Sequence, residues 1–298
     1  MIMHWHILGA GSIGCLWAAH LVEAGHQVTL ILRSKQRITA FNQQVTIEQG
    51  TETRHYPVQC QLADHPESIH HLLVTTKAYD VQSALSGLRS RLAQGAQLVL
   101  LHNGMGPQQW ALQHCSQQQV WAATSTDGAW LRQPGHVVFA GQGETRLGRF
   151  DAPQDSSLAT QLQGLALNIV ADPVIEHSLW RKLAINCAIN PLTALHDCRN
   201  GELASNPVWR AEMAELCQEI DSLLARLQLS LFTDGLLPVA LQVARATGQN
   251  YSSMLQDVRH QRQTEIDYIT GFLCQRASEA GLSAGKNEQL LHKLKKIC

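Results

Sequence analysis

Hydrophobic and polar positions follow two regimes along this chain. Through the first half, short aliphatic runs alternate with longer segments of helical period. MHWHIL at 3–8 reads as a strand, CLWAAHLVEA at 15–24 as a helix ending near Gly25, and QVTLIL at 27–32 as a second strand. LLVTTK at 72–77 and QLVLLHN at 97–103 read as further strands, with a helical stretch between them. Alternation of this kind predicts βαβ units and a parallel sheet covered by helices on both faces. Residues 45–58 read as an antiparallel excursion around Gly50, and HVVFAG with ETRLGRF as a pair of edge strands separated by Gly141 and Gly143. From Glu176 onward the period is helical, broken by Pro191, Asn200-Gly201, Asn206-Pro207 and residues 233–238. Asp172-Pro173 supplies a turn signal between the regimes.

The first strand runs into Gly9-Ala10-Gly11-Ser12-Ile13-Gly14, which fits G-x-G-x-x-G with a strand before it and a helix after it. In that context the first glycine permits the tight turn and the second lets the backbone approach a pyrophosphate. The third lets the helix pack close on the strand, so that its N-terminus faces the phosphates. An ordinary glycine-rich turn is the bland alternative. The expected fold class is therefore α/β, with an N-terminal Rossmann-type doubly wound sheet over residues 1–174 followed by an all-helical C-terminal domain over 175–298. A carboxylate after the second strand would grip a ribose 2′-hydroxyl; this chain offers Arg33, Ser34 and Lys35 instead. Those groups suit a 2′-phosphate, which favours NADP(H), although a solvated arginine would look the same.

Charge and composition remove other classes. A net charge of −1 leaves no basic excess for a phosphate backbone, so no nucleic-acid partner is expected. Lys293, Lys295 and Lys296 read as a solvated helix end. No apolar run is long enough for a membrane span, and the N-terminus does not read as a signal peptide. The eight cysteines are scattered without a C-x-x-C pair, which reads as reduced thiols in a cytoplasmic protein. Fifteen histidines include no H-x-x-x-H or H-E-x-x-H spacing, and no metal site is expected. The sequence does not distinguish a monomer from a homodimer.

In the second half, Lys182, Asn186 and Asn190 are spaced i, i+4, i+8 and fall on one arc of a helix that is otherwise apolar. Buried there they need partners, because an unpaired polar group costs several kcal/mol; a solvated face is the alternative. Pro191 is expected to kink or end that helix. In SSMLQDVRHQRQTEIDYITGFL, read as helix, Glu265 falls within the arc of Val258, Ile269 and Phe272. Its carboxylate wants a cation or donors, Arg262 locally or Lys182 from elsewhere, while Ser252 or Ser253 reads as a helix cap.

Together GAGSIG, LLVTTKAYDV, LLHNGMG, HSLWRKLAINCAINPLTAL, CRNGEL and SSMLQDVRHQRQTEIDYITGFL resemble the ketopantoate reductase (2-dehydropantoate 2-reductase) family, in order, from the first strand to about residue 282. The resemblance implies reduction of ketopantoate to pantoate by NADPH on the route to pantothenate and coenzyme A, with the active site in the cleft between the domains. It implies that the glycine loop (Gly9, Ala10, Gly11, Ser12, Ile13, Gly14) and Arg33 hold the cofactor's phosphates, with Lys77 near the cofactor and Gly128 a backbone contact to it. Asn103 would touch nicotinamide and substrate. Lys182 would donate the proton to the ketone oxygen, with Glu265 as its neighbour. Asn186, Asn190, Asn200 and Ser253 would bind the substrate's carboxylate and hydroxyl. Asp127, where relatives carry histidine, and the pair His196-Asp197 depart from the family pattern. A related NADP-dependent 2-oxo acid or β-hydroxyacid dehydrogenase is the alternative enzyme, and an NADPH-binding sensor the non-enzymatic one.

Overall fold

The computed structural model describes residues 2–297; Met1 and Cys298, with the thiol expected there, lie outside the described residues. The chain forms two compact units, one of Met1–His102 with Pro107–Ser178 and one of Asn103–Gly106 with Leu179–Cys298.

The first unit begins β1 His4–Leu8, α1 Ser12–Glu23, β2 Gln27–Ile31, α2 Lys35–Phe41, β3 Gln44–Gln49, β4 Glu52–Pro57 and β5 Gln59–Gln61. β6 Ile69–Val74, α3 Ala78–Ser86, β7 Leu92–Leu101, α4 Pro107–His114 and β8 Gln119–Ser125 follow. The last strands are β9 Gly128–Gln133, β10 His136–Gly141, β11 Thr145–Arg149 and β12 Ile169–Ala171, with the short α5 Ser157–Gln161 before β12. Eight strands make one sheet in the order β12-β11-β8-β7-β6-β1-β2-β5. β1 pairs in parallel with β2 on one edge and β6 on the other, so the connections change side of the sheet at the end of β1. That is where an open α/β sheet leaves a crevice for a ligand.

Alternate residues feed the two faces, as the pleat requires. Trp5, Ile7, Leu73 and Val99 enter one apolar cluster with Leu16 and Trp17 of α1; Leu8, Leu72, Val74, Leu98 and Leu100 enter the other. Trp5 through Leu8 are all buried, His6 included, so the strand is covered on both faces where a half-exposed strand would alternate. Each such large side chain contributes about 1.5–3 kcal/mol.

The excursion at 45–58 is the β3–β4 hairpin. The expected pairing of HVVFAG with ETRLGRF is not formed. β10 pairs with β9 and β3 in a separate four-stranded sheet, and β11 pairs with β8 and β12 in the large one. Between them Gly143 passes so close to Thr126 that a Cβ would lie 2.4 Å from the Thr126 carbonyl carbon. The glycine marks a change of sheet and not a hairpin turn.

The helical run comprises α6 Ile175–His196, α7 Asn200–Ser205, α8 Pro207–Arg226, α9 Leu236–Ala246, α10 Ser253–Arg259, α11 Thr270–Glu279 and α12 Gly285–Leu294. Pro191 does not end α6, which runs one and a half turns beyond it. Asn206 caps α8 by accepting from Val208 N at 2.9 Å, with Pro207 at the first helical position. The continuous helix expected over 252–273 is broken. After α10, Gln261 takes a left-handed φ of 52°, Gln261 N donates to Val258 O (3.0 Å) and Arg262 N to Asp257 O (2.8 Å). Those two bonds form a Schellman stop, made here without the usual glycine.

Candidate active site

In the first unit the glycine loop is shaped by what its backbone must approach. Gly9 has φ 111°, and a Cβ on it would lie 2.5 Å from Thr76 N; a Cβ on Gly14 would lie 2.0 Å from Gly9 O. Both glycines are therefore demanded by packing. Gly11 differs, because nothing lies within 4 Å of where its Cβ would be. It is the N-cap of α1 and makes no side-chain cap bond, so the first N–H groups of the helix are not satisfied by a cap. Open space over a glycine at an uncapped helix start fits a pyrophosphate. Ala10, Ser12 and Ile13 are half-buried along the same turn. Thr75, which no sequence signal singled out, fixes the loop by donating its hydroxyl to Gly9 O at 2.5 Å.

Arg33 follows β2 with 69% of its side chain exposed, and its guanidinium pairs with Asp80 in the first turn of α3. Ser34 caps α2 through Arg37 N (3.3 Å), and Lys35 is exposed. Lys77 is the N-cap of α3, three residues past the end of β6. Gly128 opens β9 opposite Gly141, with only ordinary contacts where a Cβ would sit. The neighbouring Asp127 is a structural clasp: its carboxylate accepts from Gly143 N (2.7 Å), Ser125 Oγ (2.6 Å) and Thr145 Oγ1 (3.3 Å).

In the second unit the arc on α6 goes from half-buried Lys182 and Asn186 to buried Asn190. Thr193, one turn on, donates to Asn190 O (2.9 Å), and its hydroxyl is hydrogen-bonded to that of Ser252 at 2.7 Å. Ser252 is also the cap of α10, accepting from Leu255 N at 3.1 Å, whereas Ser253 is exposed on the first turn. Asn200 is buried and donates its amide to Thr247 Oγ1 (2.9 Å), holding α7 to the end of α9.

Glu265 is 4% exposed and stands at the start of a 3-10 turn, Ile266–Tyr268, not on a helix face. Arg262 is not its partner; that guanidinium pairs with Asp257 at 3.1 Å, because the Schellman stop folds it back over α10. Asn103 Nδ2 donates to Glu265 Oε2 at 3.4 Å. The segment Asn103–Gly106 docks on the same turn, with Met105 N donating to Tyr268 O at 2.9 Å. Gly104, at φ 80°, passes so close that a Cβ would lie 2.5 Å from Tyr268 O. The structure thus brings together Asn103 and Glu265, which stand 162 residues apart. The atypical pair is structural: His196 bonds Glu212 at 2.7 Å and stacks on Trp209, and Asp197 pairs with Arg259 at 2.7 Å.

A mostly parallel sheet with this loop at its switch point, together with a helical unit carrying lysine, asparagines and a buried glutamate, defines a dinucleotide-binding, two-unit dehydrogenase class. The ketopantoate reductase PanE/ApbA family model matches residues 5–152, and the model of that family's C-terminal part matches 174–297. The chain is 35% identical over 295 residues to the 2-dehydropantoate 2-reductase of Vibrio cholerae, covering 98% of this chain and 96% of that one. The PanE/ApbA family ketopantoate reductase from Ralstonia eutropha superposes with TM-score 0.88 at 26% identity, over 99% of this chain and 98% of that one. In fold alone it also matches D-mandelate dehydrogenase in its ternary structure with NADH and anilino(oxo)acetate, at TM-score 0.89 and 21% identity over 99% and 98% of the two chains. The chain belongs to the ketopantoate reductase family.

Proposed function

We propose that the protein is an NADPH-dependent 2-dehydropantoate 2-reductase, converting ketopantoate to pantoate in pantothenate and coenzyme A biosynthesis. The observation that carries this reading is the arc of Lys182, Asn186 and Asn190 on α6, in a chain whose curated relatives of that activity match it nearly end to end. When bound, the nicotinamide supplies the hydride. The open backbone at Gly11 and the uncapped start of α1 receive the pyrophosphate. Arg33, exposed beyond β2 where NAD-binding chains place a carboxylate, takes the 2′-phosphate and leaves Asp80 to do so.

Reduction of the ketone builds negative charge on its oxygen. The Lys182 ammonium stabilises that charge and gives up its proton to the oxygen as the hydroxyl forms. Asn186 and Asn190 offer neutral amides to the substrate's carboxylate and hydroxyl, so they fix it without adding charge beside the lysine. Glu265, braced by the Asn103 amide, orients the substrate or the acid. Oxidation of NADPH should be followed with ketopantoate and three or four related 2-oxo acids, and repeated with NADH. Ketopantoate with NADPH should give the highest kcat/KM. Equal turnover of simpler 2-oxo acids would point to the broader dehydrogenase, and cofactor binding without turnover of any of them to a sensor.

A further inference from the structure

We propose that His4, His6 and Glu67 form a binding site for one Zn2+ ion at the end of the large sheet away from the glycine loop. His4 and His6 lie two apart on β1 and so share a face of the strand, with Leu8 completing that face before Gly9. Glu67 comes from the loop between β5 and β6. Among the described residues, the ligand atoms of these three side chains lie within 4.8 Å of one another.

Two features of the geometry point to a metal and not to a simple ion pair. First, His4 Nδ1 stands 3.2 Å from Glu67 Oε1, and His6 Nε2 stands 3.4 Å from Glu67 Oε2. A charge-assisted N–H···O contact closes to about 2.7–2.9 Å. Two ligand atoms each about 2.0–2.1 Å from a tetrahedral Zn2+ are instead about 3.3 Å apart. Second, the outer bonds of His4 are already assigned. Its Nε2 lies 2.8 Å from Thr29 Oγ1, and the Thr29 hydroxyl donates its one proton to Gln59 Oε1 at 3.3 Å. The hydroxyl therefore holds Nε2, and Nδ1 is the ring nitrogen that faces the carboxylate. A cation between Nδ1 and the carboxylate would be coordinated by both, and a hydrogen bond that holds the far ring nitrogen is the usual outer support of a histidine ligand.

Entry and the fourth coordination position are also provided. Glu67, His65 and Gln59 line a solvent-open cavity of about 550 Å³. Glu67, the one ligand that lines it, gives an ion a route in, and three protein ligands leave the fourth position to water. An ion here would clip β1 to the loop before β6, stabilising the first unit. The spacing rules that exclude helical H-x-x-x-H pairs do not test a strand pair joined to a carboxylate 61 residues away.

The full-length protein, stripped with a chelator, should be titrated with Zn2+ by calorimetry and melted with and without the ion. We expect one ion per chain and a higher Tm with Zn2+, since a ligand that binds only the folded state stabilises it. Co2+ in its place should give the intense visible absorption of a four-coordinate centre. His4→Gln and Glu67→Gln, both partly exposed, should fold and lose the binding, and Thr29→Val should weaken it by about 10–100-fold. Thermal melts in chelator confirm that each variant is folded. Absence of stoichiometric binding, or Zn2+ binding by His4→Gln equal to that of the unaltered chain, overturns the assignment.

Discussion

The glycine loop and the Asn103–Glu265 pair, both proposed ligand contacts, are encoded in opposite ways. The loop is contiguous and works through backbone: Gly9 and Gly14 are fixed by close approach, and Gly11 leaves room. The pair works through side chains and joins residues 162 apart, held by a strand-end segment docked on a 3-10 turn. Damage to the first should therefore appear in cofactor binding and stability, and damage to the polar set of the helical unit in turnover.

The largest effect expected is for Lys182→Ala, which should lower kcat by about 10²–10³-fold with cofactor affinity little changed, as loss of a group that stabilises developing negative charge does. Near-normal turnover in steady-state assays would remove the lysine from the chemistry. Within the loop, Gly14→Ala forces a Cβ against Gly9 O and should cost about 1–3 kcal/mol of stability. Gly11→Ala should leave the Tm nearly unchanged and weaken the dinucleotide by fluorescence titration. Equal loss of Tm in both variants would mean that Gly11 too is a packing glycine.

Arg33→Ala should raise the KM for NADPH by about tenfold or more, the value of one lost charge-assisted contact, and leave that for NADH almost unaltered. Equal changes for both cofactors would count against contact with a 2′-phosphate. The smallest effect concerns His20 on α1, whose imidazole is held below the usual histidine range by burial, opposed by Glu23. The unfolded chain then takes up the proton first as pH falls through the ordinary histidine value of 6.5, so stability is full above that pH and declines below it. One proton limits the slope to about 1.4 kcal/mol per pH unit. His20→Phe should flatten the Tm profile between pH 7 and 5; an unchanged slope would place the titration elsewhere.

Much of the first unit was legible because parallel strands buried on both faces leave apolar runs that turn residues bracket, as at β1, β2, β6 and β7. The arc on α6 was legible because Lys182, Asn186 and Asn190 need only a helix to align them. What could not be read depends on tertiary choice. HVVFAG and ETRLGRF look like a hairpin until Asp127 clasps Gly143 and sends the strands to different sheets. Glu265 looks helical because nothing in HQRQTE announces that Gln261 will turn left-handed. Ser252 and Ser253 are adjacent and alike, and only packing makes one of them buried. Thr75 has no local mark at all, since the loop it fixes lies 66 residues earlier.

That last bond has a consequence for how the chain matures. β2 follows β1 from the ribosome and can join it at once, but the other neighbour of β1, β6, and the hydroxyl that locks the turn after β1 are made much later. Until then β1, a central strand of the sheet, waits with one edge open. A ligand that needs the locked turn would stabilise only a chain in which Thr75 has already been made.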